Sequence, residues 1–196
     1  LSEKDIQLGR GEPITDSAIV ISSMVDAVML RLSSHEDIVE FSKHSSKPVI
    51  NALSDESHPC QILADLMTYQ EEKGSIQGKK IAWIGDGCNV CQTYMQAAEI
   101  FDFELSIATP AGYEPSKVFS QKYKKNINFF NNPMLACQEA DVVVTDVWTS
   151  MGQESEKKQR ESSFKGFQVD QLMMNQAKAD AVFMHCLPAY RGIAVS

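Results

Sequence analysis

The sequence predicts an α/β protein: two parallel-sheet αβα units joined by a hinge helix, the first one truncated. Three observations carry that expectation. Short β-branched runs alternate with stretches of helical periodicity along the whole chain. The run Ala140-Asp141-Val142-Val143-Val144-Thr145 is apolar and ends in turn chemistry, as in a buried parallel strand. Gly74-Ser75-Ile76-Gln77-Gly78 is a natural break, dividing residues 1–74 from residues 75–196.

Each element has its own signal. Ile14, Ala18, Ile21 and Val25 recur at helical spacing. Ala27-Val28-Met29-Leu30 reads as a strand ending at Arg31. Ser34 with Asp37 three residues later is a capping-box signature for a helix over residues 37–45. Pro48 to Leu53 is the next strand. A helix over residues 59–73 comes after it, with Ile62, Leu63, Leu66, Met67 and Tyr69 as its apolar face. Past the break, residues 80–85 are a strand and residues 90–101 a helix. Strands over 105–109, 127–130, 141–145 and 181–187 complete a set of five.

The composition is that of an ordinary globular protein: 196 residues, 43% hydrophobic and 22% charged. A net charge of -8 argues against nucleic acid and anionic membranes as partners. No apolar stretch approaches the roughly 20 residues that span a bilayer, and Leu1 to Asp5 does not read as a signal peptide. Five cysteines without a secretory signal fit a reducing cytoplasm. With no initiating Met, and with Ser196 just past a strand, both ends are expected to be cut.

The chemically suggestive residues gather where strands stop, the end at which open α/β sheets bind ligands. Asp146 to Glu154 comes directly after a buried strand; a carboxylate, a hydroxyl and a Gly-containing loop there suit a small cationic substrate, though Asp, Ser and Thr also cap helices. His58 precedes Pro59 at a helix N-terminus, a position that attracts anions and polarised carbonyl oxygens; capping is the simpler alternative. Arg31 ends an apolar strand and can bind phosphate or carboxylate through paired hydrogen bonds, or be a solvated terminus. Gly85-Asp86-Gly87-Cys88-Asn89-Val90 falls short of a dinucleotide fingerprint, because Val90 stands where the third glycine belongs. Cys88-Asn89-Val90-Cys91 has no second pair at zinc spacing, and Cys91 and Cys137 read as core. Cys186, in His185-Cys186-Leu187-Pro188, is expected to share a crevice with Asn89 and Asp146. The charged run from Glu154 to Glu161 reads as a solvated helix, with the preceding loop as a lid. No metal-ligand cluster is apparent.

Taken together, His58-Pro59-Cys60-Gln61-Ile62-Leu63-Ala64-Asp65, Asp86-Gly87-Cys88-Asn89, Asp146-Val147-Trp148-Thr149-Ser150-Met151-Gly152 and His185-Cys186-Leu187-Pro188 resemble the signatures of the ornithine carbamoyltransferase family, in order and spacing. The resemblance covers essentially the whole chain. It implies carbamoyl transfer from carbamoyl phosphate to L-ornithine, giving L-citrulline and phosphate, with no cofactor and no metal. It places carbamoyl phosphate on Arg31, His58, Pro59, Cys60 and Gln61, with Gln7 as a further contact. It places ornithine on Asn89, Asp146, Ser150 and Met151. Cys186 and Leu187 fall where the side-chain amine meets the carbamoyl carbon, and His58, Arg31 and Cys186 are the implied catalytic groups. A cytoplasmic homotrimer is the implied assembly. A carbamoyltransferase for another amine such as putrescine, or a non-catalytic amino-acid-binding module, are the alternatives. The family's Ser-Thr-Arg-Thr-Arg stretch and its C-terminal helix are absent from these residues, so the polypeptide as written is expected to bind carbamoyl phosphate poorly. Cys88 stands where the family commonly has Asn, and Tyr190 where bacterial members commonly have His.

Overall fold

Two parallel sheets organise the molecule. The structure, a computed structural model, describes residues 12–149 and 156–196. The chain divides into two units, Leu1–Leu63 and Ala64–Ser196.

In the first unit, α1 (Ile14–Ser22), β1 (Val28–Arg31), α2 (His35–His44) and β2 (Val49–Leu53) surround a small core. β1 and β2 pair in parallel, with Val28 opposite Val49 and Leu30 opposite Asn51. Alternation along β1 buries Val28 and Leu30 and exposes Met29 and Arg31. Ala18, Ile38 and Phe41 close over the buried pair. Ser34 caps α2 as its sequence suggests, the hydroxyl accepting from the Asp37 N–H at 3.1 Å, and the helix begins at His35, two residues earlier than expected.

The helix α3 (Pro59–Lys73) has the bounds its sequence predicts. Its buried face is narrower than expected. Ile62, Leu66 and Tyr69 are buried, whereas Leu63 and Met67 are exposed. The spacing explains the correction: residues 62, 66 and 69 share one stripe, and 63 and 67 lie about 100° further round the helix. The two units divide within α3, before the Gly74–Gly78 break. The later part of the helix is bonded into the second unit, through the Tyr94 hydroxyl donating to Asp65 at 2.7 Å and Lys73 Nζ donating to the Asp180 carbonyl at 2.8 Å.

The second unit holds five parallel strands in the order β5-β4-β3-β6-β7. They are β3 (Lys80–Ile84), β4 (Glu104–Ala108), β5 (Ile127–Phe130), β6 (Val142–Thr145) and β7 (Val182–His185). All four residues of β6 are buried, as its unbroken apolar run predicts. The connections include α4 (Asn89–Phe101), α5 (Lys117–Lys122), α6 (Pro133–Cys137), α7 (Lys157–Ser163) and α8 (Gln171–Met174). Cys91 and Cys137 are core residues, as expected. None of the described helices is long and apolar enough to cross a membrane.

Strand order reverses between β3 and β6. The chain grows outward through β4 and β5 on one side, then returns to start β6 on the other. Such a reversal leaves a crevice at the carboxyl ends of the two strands. The glycines that resembled a dinucleotide fingerprint serve packing at this point. Gly85 has φ +134°, and a Cβ there would sit 3.3 Å from Thr145 Oγ1. A Cβ on Gly87 would come within 2.2 Å of the Pro115 nitrogen and 2.4 Å of the Glu114 carbonyl carbon. Because that obstruction is backbone, Gly87→Ala should destabilise the protein by about 1–3 kcal/mol. Urea denaturation measures it, and an unchanged midpoint would contradict the close approach.

Candidate active site

The register fixes which residues meet at the switch point. Thr145 of β6 lies opposite His185 of β7, so Asp146 and Cys186 leave adjacent strands side by side. The Cys186 thiol donates to Asp146 Oδ1. Asp146 Oδ1 also accepts from the Val147 N–H at 2.7 Å, and the Cys88 thiol lies 3.8 Å from Oδ2. Asp146 is only 6% exposed, and among the described residues it forms no ion pair. A buried carboxylate surrounded by uncharged donors carries an unanswered charge, which in a crevice marks a place for a cation.

Burial pushes the Cys186 thiol up, and the neighbouring Asp146 pushes it further. Cys186 is therefore a protonated hydrogen-bond donor at neutral pH. Burial likewise raises Cys88, reinforced by Asp146 and Asp86. All five cysteines are free, and neither member of Cys88-Asn89-Val90-Cys91 has the depressed value of a redox thiol. Asn89 opens α4, half-buried, with its own side chain accepting from the Val90 N–H at 2.9 Å.

The sequence displays no metal-ligand cluster, but the fold gathers one candidate set. Asp146, His185 and Cys186 each offer a ligand atom, all within 4.8 Å of one another. They meet because adjacent strands end together. The hydrogen bond between Cys186 and Asp146 already occupies two of the three groups, and no metal is assigned to them.

A second correction concerns the charged run after the loop. α7 is not uniformly solvated: Arg160 is 4% exposed. Its guanidinium donates to Asp86 Oδ2 and to the Trp148 carbonyl. Its Cζ lies over the Tyr113 ring, 4.8 Å from the centroid, and over that of Phe164 at 5.4 Å. Sequence reasoning missed Asp86 and Arg160 as partners because 74 positions separate them.

In the first unit, His58 is half-buried immediately before α3, and its carbonyl accepts from Gln61 and Ile62 at 3.2 and 3.4 Å. The turn before it is braced. Ser57 hydrogen bonds Asn51 Nδ2 at 2.9 Å, and Ser54 meets His35 Nδ1 at 2.8 Å. Pro59, Cys60 and Gln61 form the first turn of α3, half-buried, with the Cys60 thiol 3.5 Å from the Asn51 carbonyl. Arg31 is exposed at the end of β1, on the opposite face from Leu30. Leu187 is 88% exposed. Gln7, Ser150, Met151 and the expected lid at 150–155 lie outside the described residues.

A family model described as the Asp/Orn binding domain of aspartate/ornithine carbamoyltransferase matches residues 77–196. The corresponding carbamoyl-P binding domain matches residues 1–71. This chain belongs to the aspartate/ornithine carbamoyltransferase family. Among its carbamoyltransferase relatives, the ornithine carbamoyltransferase of Ruthia magnifica subsp. Calyptogena magnifica is 63% identical over the whole chain, which covers 66% of that relative. That of Hydrogenovibrio crunogenus is 52% identical, and 65% of it is covered. The solved ornithine carbamoyltransferase from Pyrococcus furiosus superposes with TM-score 0.92 at 45% identity, over 98% of this chain and 64% of that one. The anabolic enzyme from Campylobacter jejuni gives 0.91 at 43% identity, over 100% and 67%. The chain thus spans 66% and 65% of the two curated relatives.

One ionisation of the site can be tracked directly. Burial raises the Asp86 carboxyl from 3.8 to about 6, against the opposing pull of Arg160. Between those values the folded protein holds a proton that the unfolded chain releases. This group's contribution to stability is therefore largest at low pH and declines as pH rises through the window. Denaturation across it should show the unaltered protein losing stability, relative to Asp86→Asn, as pH rises. A difference that does not vary with pH would contradict the raised value.

Proposed function

We propose that the protein is an ornithine carbamoyltransferase, transferring the carbamoyl group of carbamoyl phosphate to the side-chain amine of L-ornithine. The observation that carries this reading is the buried Asp146 carboxylate at the β3/β6 switch point, held by thiol and amide donors. Its relatives' names support the choice of ornithine. In this reading residues 1–74 supply part of the carbamoyl phosphate domain and residues 75–196 the ornithine domain, a boundary lying between the two family matches.

Asp146 receives the α-ammonium of ornithine, with Asn89, Ser150 and Met151 completing recognition of the amino-acid end. Cys186 stays protonated and holds the carboxylate in place, while Leu187 borders the reacting carbon. Carbamoyl phosphate lies on Arg31, His58, Pro59, Cys60 and Gln61, with Gln7 as a further contact. The free amine attacks the carbamoyl carbon, the bond from that carbon to the bridging anhydride oxygen breaks, and phosphate departs with that oxygen as the nitrogen loses a proton. Charge accumulates on the carbamoyl oxygen in this step, where donors such as His58 and Arg31 contribute about 3–4 kcal/mol each. His58, immediately before the N-terminus of an α-helix, suits that task. Positioning two substrates accounts for much of the remainder. A homotrimer in the cytoplasm is the proposed assembly and setting, the latter in keeping with five free cysteines.

Citrulline formation tests the reading, measured on this polypeptide and on one extended to the relatives' length. The extended protein should form citrulline from ornithine and carbamoyl phosphate; none formed would overturn the proposal. In that protein Asp146→Ala should raise the ornithine KM by about tenfold or more while leaving putrescine turnover little changed. A preference for putrescine in the unaltered protein would point to a different amine substrate.

A further inference from the structure

Two carboxylates face the same buried region. Asp86 lies just past β3 and Asp146 just past β6, close enough that the Asp146 charge helps raise the Asp86 carboxyl. They are answered differently. Asp146 has uncharged donors, whereas Asp86 is paired with Arg160, the buried cation among the described residues.

Arg160 does more than neutralise. One edge of its guanidinium donates to Asp86 and Nε donates to the Trp148 carbonyl. Asp86 stands three residues before Asn89, and Trp148 two residues after Asp146. Tyr113 and Phe164 hold the guanidinium, its Cζ 4.8 and 5.4 Å from their ring centroids, and Tyr113 and Phe164 pack edge to face at 4.8 Å. The loop carrying Asp86 is itself fixed, since Trp83 Nε1 donates to the Asp86 carbonyl at 2.9 Å and the Gly87 N–H to the Tyr113 carbonyl at 2.8 Å. A planar fork with several fixed donors can satisfy two acceptors and two ring faces at once; an ammonium on a flexible stem cannot.

We propose that Arg160 is a positioning residue: it ties the loop after β3 to the loop after β6 and absorbs the Asp86 charge, leaving Asp146 to receive the substrate's α-ammonium. The proposal deepens the ornithine reading and rests on it for the identity of that ammonium. The tie between the loops stands on the contacts alone.

The test is Arg160→Lys in the extended protein, which keeps the charge and loses the fork. The ornithine KM should rise at least about tenfold while the carbamoyl phosphate KM stays within about twofold. A merely structural role would weaken both substrates together, and that result, or an unchanged ornithine KM, overturns the proposal. Amide hydrogen exchange in the unaltered protein reads the tie without a variant and without turnover. Gly87 and Val147 should open as one unit, with matching protection, and independent opening overturns the tie even if Arg160→Lys does not fold. Absence of citrulline in the unaltered protein would defeat the ornithine reading instead, leaving the exchange result to decide the tie.

Discussion

The site depends on a carboxylate buried where a parallel strand ends. Taking Asp146 out of water is costly unless something answers its charge. The Cys186 thiol and the Val147 N–H orient it, but uncharged donors only partly compensate an ion. In the proposed function the incoming α-ammonium answers the remainder of that charge. Raised thiol values around it have the same cause: in a desolvated crevice that already holds negative charge, a thiolate is disfavoured.

Topology supplies the crevice. Because strand order reverses between β3 and β6, the loops leaving them diverge, and polar residues there are not buried under a crossover. Gly85 and Gly87 let those loops approach Thr145 and the 114–115 backbone closely. Arg160 then bonds Asp86 and the Trp148 carbonyl in the same region. Strand pairing, glycine contacts and one buried ion pair thus act on a single place, and that convergence separates a site from a collection of polar loop ends.

Much of the fold is legible in the sequence because its signals are local. The β-branched run before Asp146 marks a strand buried on both faces, and Ser34 with Asp37 marks a helix start that the structure reproduces. The short helices α5 and α8 are not legible in this way, whereas Cys137 reads as a helical core residue and closes α6. α5 and α8 are too short to develop a period, and their caps, Ser116 and Asp170, are evident only from the hydrogen bonds they accept. Asp146 and Cys186 come together through their shared position at strand ends, a fact of parallel topology. Arg160 gives no such sign: in Glu156-Lys157-Lys158-Gln159-Arg160-Glu161 it looks like its solvated neighbours. Its burial comes from Asp86, Tyr113 and Trp148, which are distant in the chain. The exposure of Leu63 and Met67 escapes the sequence for a related reason, since apolar residues at helical spacing do not reveal how wide a stripe the neighbours cover.

A crystal structure of the protein with L-ornithine bound would test the central claim most directly. The account predicts the α-ammonium nitrogen about 3 Å from an Asp146 carboxylate oxygen, with the Cys186 thiol still donating to that carboxylate. An ornithine whose α-ammonium pairs with another group, leaving Asp146 bonded only to its thiol and amide neighbours, would contradict it.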